Sequence, residues 1–264
     1  MLPLIHHLPP GIKQLPMDSS ENNETSSSSH LAFQFQNIPH DGFENNPIGK
    51  FKKWLSQSND FIKQLDISMT SLSDQVELSA LKSKLFVANM AADFVTVNAN
   101  TLQPSSRKII CKDISERGFT FFTNTLTSKK GMDISTNNKV ALNFMFTLPV
   151  IRQIRVEGIA LPVSKEELGE SYTNEEPEYR INIHTCPQSQ PSPGRDEMWK
   201  EFEEIHSNKS DLELKSSIPA YWGGYLIVPH RFEFYQEGLY RMADRVEYVK
   251  EEQSNSWKVS TLYP

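Results

Sequence analysis

The chain is poor in cysteine and has no excess of positive charge. Its 264 residues include only Cys111 and Cys186, and neither has neighbours at the spacing of a zinc site or a disulfide framework. Lysine and arginine number 27 against 33 aspartates and glutamates, which gives a net charge of −6. Such a chain has no general field that attracts nucleic acid or anionic lipid, so any recognition of phosphate must be local. We therefore expect neither kind of partner, and the two cysteines fit a reducing intracellular setting.

Long apolar runs and the common catalytic motifs are also missing. No apolar segment approaches the roughly 18 residues of a membrane-spanning helix. Residues 1–7 are apolar but too short and proline-broken for a secretory signal, and they lack the arginines of a mitochondrial presequence, so we expect a soluble, cytoplasmic protein. Gly-x-Gly-x-x-Gly, Gly-x-Ser-x-Gly, His-Glu-x-x-His and the P-loop are all absent. Any chemistry would therefore be carried by a cofactor.

Composition divides the chain into a tail and one folded domain. Residues 1–44 are rich in Ser, Asn, Pro and His, so we expect this tail to be disordered. The domain, residues 45–264, begins at Asn46-Pro47, which is typical of a helix cap followed by proline in the first turn. The apolar residues after it fall on one helical face: Ile48, Phe51, Trp54 and Leu55. A second helix is predicted over residues 74–86.

Strand patterns dominate the centre and the C-terminal part of the chain. Apolar and β-branched residues predict strands at 93–98, 107–112, 119–123, 140–146, 151–161, 225–228, 232–236, 239–249 and 257–262. Helical segments are predicted from Ser128 to Asn138, in part of residues 164–190, and from Ser192-Pro193 onward. Strands at this spacing, without long helices between them, predict an antiparallel barrel or sandwich. The expected fold class is mainly β with flanking helices.

One predicted strand carries cations at both ends. It comprises Arg107, Lys108, Ile109, Ile110, Cys111 and Lys112, and it lies between two other apolar strands. A strand held in this way can aim cations and backbone groups at an anionic ligand better than a mobile loop can, so we expect it to bind a phosphate. The alternative is an edge strand whose charges face water and discourage pairing between sheets.

Lys129 and Gln153 mark two further candidate positions. Lys129 and Lys130 start a predicted helix, where their charge combines with free backbone N–H groups, although a solvated lysine pair is equally consistent with the sequence. Gln153 follows Arg152 inside an apolar strand. A buried glutamine needs hydrogen-bond partners, which either a ligand or a structural network could supply.

A second cationic patch is predicted near the C-terminus. Arg241 and Arg245 are spaced to share one face of the predicted strand 239–249. Their neighbours Asp244 and Glu247 leave a purely structural ion-pair interpretation open.

Taken in order, several of these stretches resemble the pyridoxine (pyridoxamine) 5′-phosphate oxidase family. Arg107 to Lys112 resembles the family's Arg-x-x-x-x-Lys strand. Phe121-Phe122-Thr123-Asn124 and Ser128-Lys129-Lys130 resemble its Phe-Tyr/Phe-Thr-Asn and Ser-Arg-Lys motifs, and Trp222-Gly223-Gly224 through Arg245 resembles its C-terminal signature. The resemblance covers nearly all of the predicted domain.

This resemblance implies a split β-barrel that binds flavin mononucleotide (FMN) at a homodimer interface. The implied reaction oxidises the 4′ carbon of pyridoxine or pyridoxamine 5′-phosphate, a vitamin B6 phosphate, to give pyridoxal 5′-phosphate with oxygen as the final acceptor. By matching positions, the residues that would bind FMN are Arg107, Lys108, Ile109, Ile110, Cys111, Lys112, Phe122, Thr123, Lys129, Lys130, Gln153, Gln188, Ser189, Tyr235 and Arg245. In such an enzyme the flavin accepts the hydride, and the protein orients it.

The substrate side departs from the family pattern. The residues that match substrate-contacting positions are Lys112, Tyr172, Arg241 and Ala243. Ala243 stands where the family's Arg-x-His-Asp-Arg has histidine, and the acidic pair Glu175-Glu176 stands where an arginine would bind the substrate phosphate. Acidic side chains would repel that phosphate, so we expect reduced activity or an altered substrate. The alternatives are a non-catalytic or differently specific flavin-binding paralogue, and a partner protein recruited through the Ser-rich tail.

Overall fold

The computed structural model describes residues 42–43, 45–65, 72–252, 254 and 256–264. In this part of the chain one antiparallel sheet contains all the strands: β1 (Ala91–Val97), β2 (Pro104–Ile110), β3 (Asp113–Ser115), β4 (Gly118–Asn124), β5 (Lys139–Phe146), β6 (Arg152–Pro162), β7 (Trp222–Gln236), β8 (Asp244–Lys250) and β9 (Trp257–Thr261). The predicted tail lies outside the described residues except at positions 42 and 43. The prediction of a mainly β fold with flanking helices is confirmed.

The two ends of the sheet are neighbours in sequence. Its order is β2-β1-β5-β6-β7-β4-β3, with β8 paired to β7 and β9 paired to β8. Only Cys111 and Lys112 separate β2 from β3. The Cys111 N–H donates to the Met90 carbonyl (2.9 Å), whereas the Lys112 N–H donates to the Thr120 carbonyl of β4 (2.8 Å). The chain therefore passes from one end of the sheet to the other at Lys112, and the sheet curls into a barrel.

The interior of the barrel is packed with aromatic rings. Alternate residues of β1 and β5 are buried, as period-two patterning requires. Phe51 enters from the first helix, and its ring lies 4.8 Å from Phe144 and 5.1 Å from Phe119, centroid to centroid, in edge-to-face contacts. The side chains of Phe51, Phe119 and Phe144 are fully excluded from solvent. This core holds the strands that carry the candidate site.

The helices flank the sheet and connect its strands. They are α1 (Pro47–Gln64), α2 (Leu72–Met90), α3 (Lys129–Thr136), α4 (Lys165–Thr173), α5 (Pro177–Thr185), α6 (Arg195–Asn208) and α7 (Asp211–Lys215). Asn46 caps α1, as predicted, by accepting a hydrogen bond from Gly49 N–H (2.6 Å), and Ser128 caps α3 by accepting one from Gly131 N–H (3.1 Å). Among the described residues, no helix has the length and apolar character needed to cross a membrane.

Three predicted boundaries are wrong. The strand expected over residues 107–112, between two others, is β2 (Pro104–Ile110), which lies at one end of the sheet beside β1, and Lys112 lies beyond its end. The helix expected to open at Ser192-Pro193 begins at Arg195 and is capped by Gly194. The cause is the φ of +129° at Gly194, a conformation that separates the preceding loop from the helix. The helix predicted over residues 74–86 extends over Leu72–Met90.

The C-terminal strands also differ from the prediction. Residues 225–228 and 232–236 belong to the single long strand β7, and the predicted strand 239–249 breaks into a 3₁₀ turn (Leu239–Arg241) followed by β8. Tyr240 and Arg241 have φ values of 54° and 67°. At Gly238, a Cβ atom would lie 1.9 Å from the Met242 carbonyl oxygen, so only glycine permits this tight turn. Arg241 therefore does not share a strand face with Arg245, and that prediction is wrong.

Candidate functional site

Arg107 is held by backbone oxygens on the inward side of β2. Its Nη1 atom donates to the Phe94 carbonyl (3.1 Å), the Thr96 hydroxyl (2.8 Å) and the Ser105 carbonyl (3.0 Å). Arg107 pairs directly with Phe94 of β1, so the two side chains share the face that lines the barrel. The two N–H groups of Nη1 share these three acceptors, which fixes the orientation of the guanidinium and leaves Nε and Nη2 outside this set of hydrogen bonds.

The start of α3 and the loop after α5 complete this group. Lys130 Nζ lies 2.9 Å from the Gln188 side-chain oxygen, which also accepts a hydrogen bond from the Thr123 hydroxyl (2.8 Å). The Lys129 N–H donates to the Ser189 hydroxyl (3.1 Å). The structure thus brings together six of the residues that match the family's FMN positions: Arg107, Thr123, Lys129, Lys130, Gln188 and Ser189. We call these six residues the cation cluster.

Lys130 is the perturbed cation of the cluster. Burial, and then the charge of nearby Arg107, lower its pKa from the ordinary 10.5 to about 8. In the described part of the chain, no carboxylate forms an ion pair with Lys130. A buried ammonium group beside another cation lowers the stability of the folded protein. This arrangement is typical of a site that binds an anion.

Asp133 is a member of this site that sequence analysis missed. Its fully buried carboxylate accepts hydrogen bonds from Lys129 Nζ and from the Thr96 hydroxyl (2.8 Å), and it lies 3.9 Å from Arg107 Nη2. Burial would raise the pKa of Asp133, but the hydrogen bonds from Lys129 and Thr96 outweigh that effect and the pKa is lowered. Because Thr96 also accepts from Arg107, the network links β2, β1 and α3. The spacing of four between Lys129 and Asp133 on one helix was the available sequence signal.

The charges of the cluster suit a phosphate monoester. Arg107, Lys129 and Lys130 contribute three positive charges and Asp133 one negative charge, which leaves +2. A phosphate monoester carries nearly −2 at neutral pH. The donor set and its net charge therefore fit the phosphate end of FMN.

The depressed pKa of Lys130 predicts a pH dependence for this site. An anion favours the charged ammonium, so affinity for FMN is expected to be highest below about pH 8 and to fall as the pH rises through about 8, where Lys130 loses its proton in the unliganded protein. The measurement is the FMN dissociation constant, by flavin fluorescence, between pH 6.5 and 9.5. The Lys130→Met variant should bind more weakly at every pH and lack this step. If the FMN affinity of Lys130→Met fell in the same way near pH 8, the pH dependence would come from a group other than Lys130.

A second group of predicted residues crosses three strands in one row. Gln153 of β6 pairs directly with Tyr235 of β7, which pairs directly with Arg245 of β8. Arg245 Nε and Nη2 lie 3.1 and 2.8 Å from the same oxygen of Glu233, a nearly buried carboxylate, and Nη1 donates to the Tyr263 carbonyl (2.9 Å). Glu233, which sequence analysis did not select, is thus the ion-pair partner of Arg245 rather than Asp244 or Glu247.

The two groups lie on opposite faces of the sheet. Ile154 and Phe234 are fully buried in the barrel interior, so their neighbours Gln153 and Tyr235 point outward. Arg107 points inward. The barrel wall therefore separates the cation cluster from the Gln153–Tyr235–Arg245 row within one chain.

Comparison with known proteins places the chain in a family. A family model described as pyridoxamine 5′-phosphate oxidase matches residues 88–209, and one described as the pyridoxine 5′-phosphate oxidase C-terminal dimerisation region matches residues 222–264. The pyridoxine/pyridoxamine 5′-phosphate oxidase of Idiomarina loihiensis is 30% identical over 221 residues, which are 84% of this chain and 91% of that relative. The chain belongs to the pyridoxamine 5′-phosphate oxidase family. The probable pyridoxamine 5′-phosphate oxidase of Schizosaccharomyces pombe is 36% identical over 161 residues, 61% of this chain and 69% of that relative.

Solved structures confirm the split-barrel fold expected for this family. PhzG from Burkholderia lata, solved with tetrahydrophenazine-1-carboxylic acid, has a TM-score of 0.59 and 23% identity, and the match covers 73% of this chain and 92% of PhzG. A pyridoxamine 5′-phosphate oxidase-related, FMN-binding protein from Nostoc punctiforme has a TM-score of 0.57 and 15% identity, with coverage of 75% and 100%.

Several positions that match the family's flavin contacts have side chains engaged elsewhere. Lys108 pairs with Asp93 (2.9 Å) on the surface, and Ile109 and Cys111 are packed in the core. Burial raises the pKa of the Cys111 thiol to about 12, so it stays protonated. Ile110 is half exposed, and Phe122 packs beside Trp222. At Ile109 and Cys111, only the backbone could contact a flavin.

The positions that match the family's substrate contacts have different environments. Tyr172 is fully buried, and its hydroxyl lies 3.0 Å from His184 Nε2 and 3.1 Å from the Leu214 carbonyl. Arg241 is exposed in the 3₁₀ turn, and Ala243 is buried beyond it. Lys112 lies at the barrel seam, where its ammonium group is paired with Glu175.

Proposed function

We propose that the protein is an FMN-dependent oxidoreductase whose site forms between two copies of the chain. The observation that carries this proposal is the cation cluster, in which Asp133 holds Arg107 and Lys129, Gln188 contacts Lys130, and the net charge of +2 matches a phosphate monoester. The cluster needs a second half, since the Gln153–Tyr235–Arg245 row belongs to the same family pattern but lies across the barrel wall. A second copy would supply that row from its outward face.

The residues of this chain would bind and orient the cofactor. Arg107 and Lys130 would hold the flavin phosphate, and Asp133 would keep Lys129 and Arg107 in place. Thr123 and Gln188 would contact the part of FMN that joins its phosphate to its flavin ring. From the other copy, Arg245, fixed by Glu233, would place a guanidinium near the ring, where Gln153 can donate and accept hydrogen bonds. When bound, FMN accepts a hydride from the substrate and passes the electrons to oxygen.

The proposed substrate class is a vitamin B6 compound oxidised at its 4′ carbon. The names of the curated relatives, pyridoxine/pyridoxamine 5′-phosphate oxidases, support this class. Pyridoxine and pyridoxamine 5′-phosphate would both yield pyridoxal 5′-phosphate. A second candidate is a flavin-binding paralogue that does not turn over these phosphates, and it is favoured by Ala243 and by the pairing of Lys112 with Glu175.

An absorbance spectrum tests the proposal directly. The purified protein, supplied with FMN, is expected to be yellow and to bleach under anaerobic conditions when a pyridoxamine vitamer is added, because the substrate then reduces the flavin. A yellow protein that bleaches with neither pyridoxamine nor its 5′-phosphate would support the second candidate. A protein that stays colourless in excess FMN would contradict the cofactor assignment.

A further inference from the structure

Lys112 is neutralised by a carboxylate of its own chain. Its Nζ atom lies 2.8 and 3.1 Å from the two carboxylate oxygens of Glu175. The two residues are 63 positions apart in sequence. The side chain of Glu175 is 12% exposed, whereas that of Lys112 is 45% exposed. In this pair Glu175 is therefore largely buried, whereas Lys112 partly faces solvent.

The position of Glu175 is set by Arg180. This arginine of α5 is only 1% exposed, and its Nη1 atom donates to the backbone carbonyl of Glu175 and to that of Thr173 (3.1 Å). Its Nη2 atom pairs with Asp211 at the start of α7. A buried guanidinium thus anchors the turn between α4 and α5, so the Glu175 carboxylate is not a mobile surface group. Arg180 is itself occupied and presents no free charge to a ligand.

Aromatic rings line the same place. The Lys112 ammonium lies 5.7 Å from the ring centroid of Tyr179, and Tyr179 meets Trp222 edge to face at 6.2 Å. Trp222 pairs with Asn124 at the end of β4, next to Thr123 of the cation cluster. An aromatic ligand bound against Tyr179 would have one end at the neutral Lys112–Glu175 pair. A phosphate there would have to displace the Glu175 carboxylate from Lys112.

We infer that the Lys112–Glu175 pair makes this end of the substrate site neutral, so that the enzyme accepts a pyridine alcohol or amine whose 5′ substituent is an uncharged hydroxymethyl group in preference to its 5′-phosphate. The inference rests on the proposed function and specifies its substrate. Glu175 is on this account a specificity-determining residue, which acts by occupying the cation that a phosphate would need.

The test compares pyridoxine and pyridoxine 5′-phosphate on the FMN-loaded, full-length protein. The bound FMN is first reduced under anaerobic conditions, so that neither ligand is oxidised to an aldehyde that could react with lysine. Dissociation constants are measured by quenching of tryptophan fluorescence for the wild type, Glu175→Gln and the control Glu178→Gln. Glu178 is an exposed residue of the same segment, so its replacement removes an equal charge without touching Lys112.

We expect the wild type to bind pyridoxine at least as tightly as its phosphate. Glu175→Gln should bind the phosphate about tenfold more tightly and pyridoxine within about twofold of the wild type, since a charge-assisted contact to Lys112 becomes available. Glu178→Gln should change neither ligand by more than about twofold. A wild type that prefers the phosphate tenfold, an unchanged Glu175→Gln variant, or a protein that binds neither ligand would overturn the inference.

FMN content, read from the absorbance of the same samples, separates this result from failure of the proposed function. A yellow protein with the wrong ligand preference overturns the inference alone. A protein that takes up no FMN contradicts the cofactor assignment on which the inference rests, and so overturns both.

Discussion

The Arg107→Ala substitution is expected to raise the dissociation constant of FMN about 10- to 100-fold. A hydrogen bond to a charged group contributes about 1.5–3 kcal/mol, and each 1.4 kcal/mol corresponds to a factor of ten. Arg107 is already oriented by Phe94, Thr96 and Ser105, so little side-chain entropy remains to be lost when a phosphate binds. The loss on substitution should therefore approach the upper part of this range.

Lys108→Ala provides the matched control for that experiment. Lys108 is the next residue of β2, but it points to the other face and pairs with Asp93 at the surface. Its replacement removes the same formal charge and should change the FMN dissociation constant by less than about twofold, since exposed ion pairs contribute little. FMN affinity is measured by titration of flavin fluorescence, with thermal unfolding recorded to establish that both variants are folded. Equal affinity of Arg107→Ala and the wild type would remove Arg107 from the phosphate site.

Mixing two impaired variants is expected to restore FMN binding if the site is shared between copies. In Arg107→Ala the cation cluster is damaged, and in Arg245→Ala the outward row is damaged. A mixed dimer then has one site that carries both substitutions and one that carries neither. Random reassociation makes half of the dimers mixed, so about a quarter of all sites should bind FMN with wild-type affinity.

The mixing experiment also has a clear contrary result. The variants are combined under mild denaturing conditions, returned to buffer and titrated with FMN, and each variant treated alone serves as the control. If both half-sites belonged to one chain, no mixture could regenerate an intact site, and high-affinity binding would stay absent. Arg245→Ala leaves Glu233 paired with Arg155, so we expect the sheet to keep its structure.

Local sequence signals predicted most of the framework. Asn46 and Ser128 are strong capping residues, and the helices begin directly after them. Period-two patterning located β1, β4, β5 and β6 to within about two residues, a typical margin for element boundaries. The failure that matters for the site lies where glycine overrides the pattern. Gly238 turns the chain back on itself, and Arg241 leaves the strand in which its spacing from Arg245 had placed it.

The site was predicted by residue type and family pattern, but its electrostatics were not. Asp133 and Glu233 are ordinary acidic residues in the sequence, and only their burial next to Lys129 and Arg245 makes them part of the site. Glu175 was expected to repel a phosphate. The structure adds that its carboxylate is held against Lys112, which is a pairing between residues 63 apart in sequence.

The sequence by itself determined the family, the mainly β fold, the cations of the proposed phosphate site and the departure at Ala243. These follow from residue type and spacing, which are local properties. Only the tertiary structure decided which face each cation occupies, which carboxylate pairs with it, and that the cation cluster and the Gln153–Tyr235–Arg245 row lie on opposite sides of the barrel wall. The strength of a charge interaction depends on the distance between the charges and on their burial. The curling of the sheet sets that distance and that burial for residues far apart in sequence, and it is what brings Lys112 to the seam.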